Sequence, residues 1–210
     1  MLNLPNITLI AVSSIRINET IYALSESSRN IQFNSVKLVS HWYPKGLPSN
    51  ISFEECQNID SIDKYSHYIM FDLIKHVNTD YCLLIQHDGY ILRPDKWDNI
   101  FLDYDYIGAP WPIKDNAYIT KFGEHIRVGN GGFSLRSKKL LEAPFKYNIP
   151  FVQEQGFYNE DGNLCVYSRD KLLELGIKYA PINIAAKFSH ETTLDEHKNI
   201  EPFGFHRYKK

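Results

Sequence analysis

The sequence has few cysteines and little net charge, and each shortage excludes a class of protein. Its 210 residues contain three cysteines, Cys56, Cys82 and Cys165, and no CxxC pair, so neither a zinc knuckle nor a redox motif is expected. An odd, sparse set of thiols indicates a reducing compartment, and we expect a cytoplasmic protein. The formal net charge of −2 does not favour a broad surface for nucleic acid or anionic membrane.

No segment has the pattern of a membrane span or a secretion signal. The apolar run at the N-terminus, MLNLPNITLIAVSSI, is too short to cross a bilayer. It also lacks a preceding basic region and a small-residue cleavage site. We therefore predict that it forms the first buried strand, and peripheral contact with a membrane stays open. Without a signal, the glycosylation tripeptides at Asn6, Asn18 and Asn50 are attributed to chance.

The chain does have the balance of an ordinary globular domain, together with many aromatic residues. Hydrophobic residues make up 43% and charged residues 23% of the chain, and its length suits one α/β domain. The 14 Tyr, 12 Phe and 3 Trp suit stacking against sugars or bases, but they suit a Tyr-rich core equally. Because no repeat, low-complexity tract or linker is present, we predict a single domain over residues 1–210.

Strand and helix patterns alternate in the first half, which predicts an α/β fold with a parallel sheet. Ile7–Ile15 and Val36–Trp42 are β-rich and flank a helical pattern over Glu19–Phe33. After a possible short strand at Ile51–Cys56, apolar residues recur every four positions over Asp63–Val77 and predict an amphipathic helix. The apolar run Tyr81–Ile85 is typical of a central strand that is covered on both faces.

The second half is less regular. Asp103–Pro112 and Pro144–Pro150 are predicted as loops, and Ile126–Ser137 as a strand interrupted by glycines and followed by a short helix over Lys138–Glu142. Asn159–Leu175 is predicted as a helix, because Asn159 is a good N-cap residue and acids follow it. Lys178–Phe188 is predicted as a strand, and the tail Glu201–Lys210 as irregular.

The first candidate motif is Gln86-His87-Asp88-Gly89, where the buried strand ends in polar residues. Ligands of open α/β sheets bind beyond the carboxyl ends of strands. A carboxylate at that position can hold a hard divalent cation that bridges diphosphate oxygens. Gly89 allows close approach of backbone to a ligand. The alternative is an Asp-Gly turn that simply ends the strand.

Two further motifs follow in the second half. In Val128–Arg136 (VGNGGFSLR), adjacent glycines suit close approach of a ligand or of another backbone, and the alternative is a bulge or hairpin turn. In Asn159–Gly162 (NEDG), Glu160 and Asp161 favour a helix start by charge alone. Their functional interpretation is a general base, because a sugar hydroxyl needs a proton acceptor to become a good nucleophile.

Three histidines, His190, His197 and His206, lie near the C-terminal end. A neutral imidazole binds transition metals, although a single His is more often structural or solvated. The spacings match no compact zinc motif.

In this order the motifs resemble those of GT-A glycosyltransferases. The segments that carry the resemblance are Gln86-His87-Asp88, Gly129–Arg136 and Asn159-Glu160-Asp161. Over about Ile7–His206, the chain more closely resembles an uncharacterised glycosyltransferase-like domain family of bacterial and viral surface-glycan proteins. The resemblance implies a mostly parallel sheet flanked by helices. A Rossmann-like nucleotide-binding half would span about residues 1–100, and an acceptor half about residues 101–210.

The resemblance also implies roles for individual residues. Asp88 matches the last acid of the DxD motif, which binds Mn²⁺ or Mg²⁺ at the donor diphosphate, whereas Gln86 replaces the first acid. His206 matches a late histidine that often completes the metal site. Asp161 matches the general base of inverting members, and Glu160 is then expected to contact the acceptor. The expected donor-binding set is Val12, Ser13, Arg16, Gln86, His87, Asp88, Gly89, Asn130, Gly131 and Gly132.

These roles imply transfer of a sugar from a nucleotide-sugar donor, expected to be a UDP-sugar, to a glycan or glycolipid acceptor with inversion. Trp111 is expected to stack against an acceptor sugar, the alternative being that it anchors its loop. Two other hypotheses stay open. One is a non-catalytic module that binds glycan or nucleotide, which Gln86 favours. The other is a metal-dependent hydrolase that uses Asp88, Glu160, Asp161 and the histidines.

Overall fold

A computed structural model describes residues 1–113, 118–120, 122–153 and 159–207 and shows a mixed sheet of six strands. The order across the sheet is β3-β2-β1-β4-β7-β6. The first four of these strands run parallel, and β7 runs antiparallel to both of its neighbours. The strands are β1 (Leu2–Val12), β2 (Ile31–Ser40), β3 (Ser52–Glu55), β4 (Tyr81–Ile85), β6 (Tyr106–Ile107) and β7 (Phe133–Ser137).

A second sheet of three short strands, in the order β5-β9-β8, lies beyond the end of β4. These strands are β5 (Tyr90–Ile91), β8 (Ser189–His190) and β9 (Gly204–Phe205). Because β9 pairs with β5, the last described residues return to the edge of the main sheet where β4 ends.

Six α-helical segments are described: α1 (Ile17–Ser28), α2 (Ile62–Phe71), α3 (Lys138–Lys146), α4 (Glu160–Gly162), α5 (Arg169–Glu174) and α6 (Ile182–Phe188). A π-helical segment, Asn163–Tyr167, lies between α4 and α5. The 3₁₀ segments are Leu73–His76, Pro94–Lys96, Asn99–Asp103 and Asp195–His197. Serine hydroxyls cap the N-termini of two helices. The hydroxyl of Ser61 accepts the N–H of Lys64 in α2, and that of Ser137 accepts the N–H of Leu140 in α3.

The core lies on both faces of the main sheet, which explains the continuous apolar run of β4. On one face, Leu83 and Ile85 pack in a cluster with Phe133 and the buried rings of Phe101, Phe188 and Phe203. On the other face, Cys82 and Leu84 pack in a cluster with Tyr65, Tyr68 and Ile69 of α2. A strand that is covered on both sides cannot alternate polar and apolar residues.

The predicted fold class, an α/β domain with a mostly parallel sheet, is confirmed. Strand β4 has the predicted bounds, and the first strand and both predicted helices of the first half form. The first strand begins five residues earlier than predicted, and both helices end earlier, at Ser28 and Phe71. Among the described residues, no helix has the length and apolarity needed to cross a membrane.

The second half corrects several expectations. Lys178–Phe188 was predicted as a strand, but Ile182–Phe188 forms α6. A short apolar run is equally typical of a strand and of a buried helix, and here Pro181 precedes a first turn. The predicted loop Asp103–Pro112 contains β6, the predicted loop Pro144–Pro150 begins inside α3, and the tail contains β9. Within Ile126–Ser137, the strand begins only at Phe133.

Phe203 is fully buried and contacts Trp97, Phe101, Phe133 and Phe188. We expect Phe203→Ala to lower the free energy of unfolding by about 3–5 kcal/mol, because it leaves a cavity beneath the β5-β9-β8 sheet. Urea unfolding measures the change. Phe145→Ala is the control, since the ring of Phe145 is 80% exposed and its removal should change stability by less than about 0.5 kcal/mol. Equal losses for the two variants would contradict the described core.

Candidate active site

The candidate site lies where β4 ends and β7 begins. The backbone N–H of Gln86 donates to the carbonyl of Gly132 over 2.9 Å, which extends the antiparallel β4–β7 ladder beyond Ile85 and Phe133. The turn that follows is closed by a hydrogen bond from the N–H of Gly89 to the carbonyl of Gln86. The motifs Gln86–Gly89 and Gly129–Gly132 are therefore neighbours, although they are separated in sequence.

Two cavities open at this edge. The first, of about 270 Å³, lies beyond the carboxyl ends of β1 and β4 and has mostly apolar walls. The second, of about 330 Å³, is mostly polar. Both are lined by Ile62 and Gln86, so they adjoin at these side chains.

Most of the predicted site residues line one of the two cavities. Val12, Ser13, Gln86 and His87 line the first. The second is lined by Gln86, Trp111, Asn130, Gly131, Gly132, Glu160, Asp161 and His206. Three predicted residues, Arg16, Asp88 and Gly89, line neither cavity. Asp88 and Gly89 lie in the turn after β4, and Arg16 lies in a shallow groove beside Trp42. Arg16 directly precedes α1, has a left-handed backbone (φ 53°) and is exposed.

His206 and Asp88 meet between the turn after β4 and the end of β9. The Nε2 atom of His206 lies 3.6 Å from Oδ1 of Asp88 and 3.2 Å from Oε1 of Gln86. On the other side of the ring, Nδ1 lies 3.2 Å from Oε1 of Glu191. Burial opposes ionisation of Glu191, but the hydrogen bond from His206 and the nearby charges of His206 and Arg207 hold its pKa below the ordinary value. Glu191 therefore stays ionised and orients the imidazole.

The residues around His206 fit a divalent cation only in part. Oδ1 of Asp88 is buried and has no hydrogen-bond donor among the described residues, as expected of an atom that has a ligand to bind. Within the same residues, however, no group of three His, Cys, Asp or Glu side chains is placed to hold a metal ion. The protein ligands would be Asp88 and His206, with the neutral amide oxygen of Gln86 beside them. Such a small set suits an ion that shares its coordination with phosphate oxygens and water.

Gly131 and Gly132 allow the side chains of Glu160 and His206 to pack against the backbone at the site. A Cβ atom on Gly132 would overlap the imidazole of His206, and a Cβ atom on Gly131 would overlap the carboxylate of Glu160. Asn130, just before them, is buried and has a positive φ of 63°, a conformation that Asn tolerates better than most residues. Gly131 and Gly132 are therefore needed for the close packing of Glu160 and His206, whereas the approach of a ligand to this segment stays a prediction.

Glu160 and Asp161 open α4 but have different surroundings. Oδ2 of Asp161 accepts the N–H of Gly131 over 3.0 Å, Oδ1 accepts the N–H of Gly162 over 2.8 Å, and the side chain faces the second cavity half-buried. Glu160 is only 3% exposed and pairs with the fully buried Arg136, whose Nη2 donates to Oε1 over 3.2 Å. Glu160 thus lines the second cavity, and its carboxylate is also bound by Arg136. Its contact with an acceptor stays a prediction.

Glu160 is ionised at a cost. Burial, followed by repulsion from Asp161, raises its pKa to about 6, although Arg136 acts in the opposite direction. The folded state binds the proton of the Glu160 carboxyl group more tightly than the unfolded state does. Protonated Glu160 therefore adds to the free energy of unfolding below pH 4.5, and this contribution is lost as the pH rises through about 6.

We therefore expect the free energy of unfolding of Glu160→Gln, taken relative to that of the parent, to rise by about 2 kcal/mol between pH 4.5 and pH 7.5, because only the parent loses stability as Glu160 ionises. The glutamine keeps an oxygen that can accept from Arg136 but removes the buried charge. Urea unfolding at the two pH values measures the difference. Glu174→Gln, at an exposed position on α5, is the control and should show no such pH-dependent difference. A relative stability of Glu160→Gln that does not rise between the two pH values would contradict this prediction.

Trp111 lines the second cavity but is only 8% exposed. Its ring stacks on that of Tyr118 at 4.5 Å, and a Cβ atom on Gly129 would overlap the six-membered ring of the indole. This packing favours the alternative in which Trp111 anchors its loop. Tyr118 also lines the cavity and is half-buried, so it is the more accessible of the two rings.

Two residues of the site were missed from the sequence. Arg136 lies within the GNGGFSLR segment, but the sequence assigns it no role, because nothing local shows that its partner is Glu160. Glu191 directly follows His190 in the histidine-rich end, and only its contact with His206 reveals it. The rings of His190 and His197 instead contact each other at 4.7 Å, and neither lines the two cavities.

Several solved glycosyltransferases have a similar fold. The galactosyltransferase LgtC, in complex with donor and acceptor sugar analogues, matches 95% of this chain and 86% of its own at 12% identity, with a TM-score of 0.52. A glycosyltransferase involved in glycosylation of the major capsid of PBCV-1 matches 96% and 92% at 13% identity, with a TM-score of 0.51. GlyE of Streptococcus pneumoniae TIGR4 matches 97% of this chain at 13% identity, with a TM-score of 0.53, and this chain covers only 54% of GlyE.

These likenesses support the GT-A-like fold that was expected from the motifs. At such low identity they show the fold alone. No curated protein matches the sequence. The model of a family described as "protein of unknown function (DUF5672)" matches residues 49–206, which include every motif of the candidate site from Gln86 onward. The chain therefore belongs to the DUF5672 family.

Proposed function

We propose that this protein transfers a sugar from a nucleotide-sugar donor, a UDP-sugar in the first instance, to a hydroxyl group of a glycan acceptor. The observation that carries the proposal is the pair of cavities that adjoin at Gln86, one mostly apolar and one mostly polar. They adjoin beside Asp88 and His206, and a half-buried carboxylate, Asp161, lies in the polar one. Such a pair suits a nucleotide and the sugar attached to it.

The first cavity suits the nucleoside. Val12, Ile15 and Ile59 supply apolar walls for a base, while Ser13 and Ser14 add hydroxyl groups at the end of β1. The side chain of Ser14 accepts the N–H of Ile59 and so joins the two walls of the cavity. The position beyond the carboxyl ends of parallel strands is the usual one for nucleotides in such sheets.

The diphosphate would then lie between the two cavities, beside Gln86, Asp88 and His206. A Mn²⁺ or Mg²⁺ ion bound by Asp88 and His206 would supply positive charge that stabilises the leaving diphosphate. Glu191 keeps His206 in place for this role. The uncharged Gln86 leaves the site less negative than two acids would, which predicts a weaker dependence on the metal.

The second cavity suits the transferred sugar and the acceptor. Asp161 is the proposed catalytic base: its carboxylate takes the proton of the acceptor hydroxyl while the oxygen attacks the anomeric carbon. The bond to the diphosphate breaks on the opposite face, so the configuration is inverted. LgtC, a neighbour of similar fold, has been obtained with donor and acceptor sugar analogues, which is consistent with a site for both.

Binding of the donor nucleotide is the first test. We expect one of UDP, GDP, CMP and TDP to raise the melting temperature, more so with Mn²⁺, because a ligand of the folded state stabilises it. In Asp88→Ala the extra effect of Mn²⁺ should disappear. Asp95→Ala, which removes a carboxylate that is 73% exposed, should behave as the parent. A shift without metal dependence would remove the metal role, and no shift with any of the four nucleotides would contradict the proposal.

Transfer itself tests the role of Asp161. We expect Asp161→Asn to keep the nucleotide-induced rise in melting temperature and to lose at least about 100-fold in transfer rate, because the amide cannot accept the proton. The measurement is product formation with the nucleotide-sugar that the binding test selects. Asp170→Asn, an exposed position on α5, is the control. Transfer at the parent rate by Asp161→Asn would show that another group is the base.

One observation favours a second candidate, a non-catalytic module that binds nucleotide or glycan. Gln86 occupies the position of an acid, which reduces the negative charge available for a metal ion. This candidate predicts a nucleotide-induced rise in melting temperature with neither transfer nor donor hydrolysis, so the two measurements above separate the candidates.

A further inference from the structure

A ring of polar contacts lies beneath Asp161, and nothing in the proposed reaction accounts for it. Arg136 on β7 donates from Nη2 to Glu160 over 3.2 Å and from Nε to the hydroxyl of Ser134 over 3.0 Å. The hydroxyl of Ser134 donates to the carbonyl of Gly131 over 3.1 Å, and the N–H of Gly131 donates to Asp161 over 3.0 Å. Asp161 follows Glu160 in the chain, which closes the ring.

The ring fastens the start of β7 to the start of α4. Gly131 is held at both polar groups of its backbone, its carbonyl by Ser134 and its N–H by Asp161. Its Cα lies so close to the Arg136–Glu160 pair that a Cβ atom would overlap Glu160. Arg136 therefore contacts Ser134, which binds the carbonyl of Gly131, and Glu160, which precedes the Asp161 that accepts the Gly131 N–H.

Stability alone does not explain why a fully buried position on β7 holds an arginine. Its side chain is 0% exposed and that of Glu160 is 4% exposed. Nη1 of Arg136 has no hydrogen-bond partner among the described residues, although the guanidinium lies 5.3 Å from the centre of the Tyr106 ring. Apolar residues of similar volume often replace a buried ion pair with no loss of stability. A buried pair with an unsatisfied donor is better explained by the geometry that it imposes.

We propose that Arg136 is a positioning residue: through the ring of Arg136, Ser134, Gly131, Asp161 and Glu160 it holds the carboxylate of Asp161 at the wall of the second cavity. In this arrangement Glu160 is the link between Arg136 and α4. The expected effect of Arg136 on the rate of sugar transfer rests on the proposed function. Its expected effect on the hydrogen bond between Gly131 and Asp161 does not.

The main variant is the double substitution Arg136→Met and Glu160→Gln, which removes both charges, keeps the net charge and roughly keeps the volume. The matched control is Lys37→Met with Glu54→Gln. That change also removes an ion pair, here one that joins β2 to β3 away from both cavities. Both double variants are made in the full chain.

Residue-resolved hydrogen exchange is the first measurement. We expect the N–H of Gly131 to exchange about tenfold faster in the Arg136/Glu160 variant. Without the ring, the hydrogen bond from this N–H to the charged carboxylate of Asp161 is weakened. The N–H groups of Leu83 and Leu135, in the β4–β7 ladder, should exchange as in the parent. Exchange of Gly131 should also be unchanged in the control. An unchanged Gly131 rate in the Arg136/Glu160 variant would overturn the proposal.

Kinetics is the second measurement. We expect kcat to fall about 100-fold in the Arg136/Glu160 variant, as is typical when a catalytic group is misplaced by about 1 Å. The KM for the donor should stay within about threefold, because the nucleotide cavity is not altered. Faster exchange of Gly131 with an unchanged kcat would overturn the positioning role. A rise in KM equal to the loss in kcat would also overturn it, because it would indicate general disturbance of the site.

The two proposals fail in different ways. If the parent transfers no sugar, the proposed function fails, and hydrogen exchange of Gly131 still decides whether the ring holds Asp161. If the double variant does not fold, Ser134→Ala replaces it, because that change removes one hydroxyl and keeps both charges. It should speed exchange of Gly131 in the same direction, and an unchanged rate would overturn the proposal.

Discussion

Antiparallel pairing of β7 with β4 is the contact on which the candidate site depends. Strand β4 is one of the two middle strands of the sheet and ends at Ile85 opposite Phe133, the first residue of β7. Because the two strands run in opposite directions, the residues after β4 and those before β7 lie at the same edge. A parallel β7 would place the GNGG segment at the far edge of the sheet, away from Gln86 and Asp88. The pairing therefore turns two distant sequence motifs into one site.

The same edge also receives the end of the described chain. Strand β9 pairs with β5, which follows directly after the turn at Gly89, and this places His206 over Gly132. The small β5-β9-β8 sheet is held by the aromatic cluster around Phe203, so packing on one face of the main sheet fixes the position of a polar residue at its edge. The position of His206 thus depends on the hydrophobic core, although the residue itself belongs to the polar site.

The sequence predicts local elements well and predicts contacts between residues that are distant along the chain poorly. Strand β4 was predicted with its observed bounds, because a continuous apolar run between polar ends is a local signal. Most of the motif residues proved to lie together, because strand ends in one sheet meet at one edge. The strand predicted over Lys178–Phe188 was wrong, since short apolar runs do not distinguish a strand from a buried helix. The pairing of Arg136 with Glu160, and that of His206 with Glu191, left no local signal at all.

Arg136 shows why such contacts escape a sequence pattern. Side chains alternate between the two faces of β7, and those of Ser134 and Arg136 point to the face that α2 and α4 cover. Apolar residues are expected on a covered face. An arginine in that position predicts an exposed face, but the residue is fully buried because a carboxylate from α4 and a hydroxyl from β7 receive its donors. A charge in the core thus marks a place where local pattern and tertiary structure disagree. In natural proteins such disagreements are concentrated at functional sites, because elsewhere an apolar side chain packs as well at lower cost. The disagreement at Arg136 lies directly beneath Asp161, which is the physical reason for connecting this buried charge with the chemistry of the site.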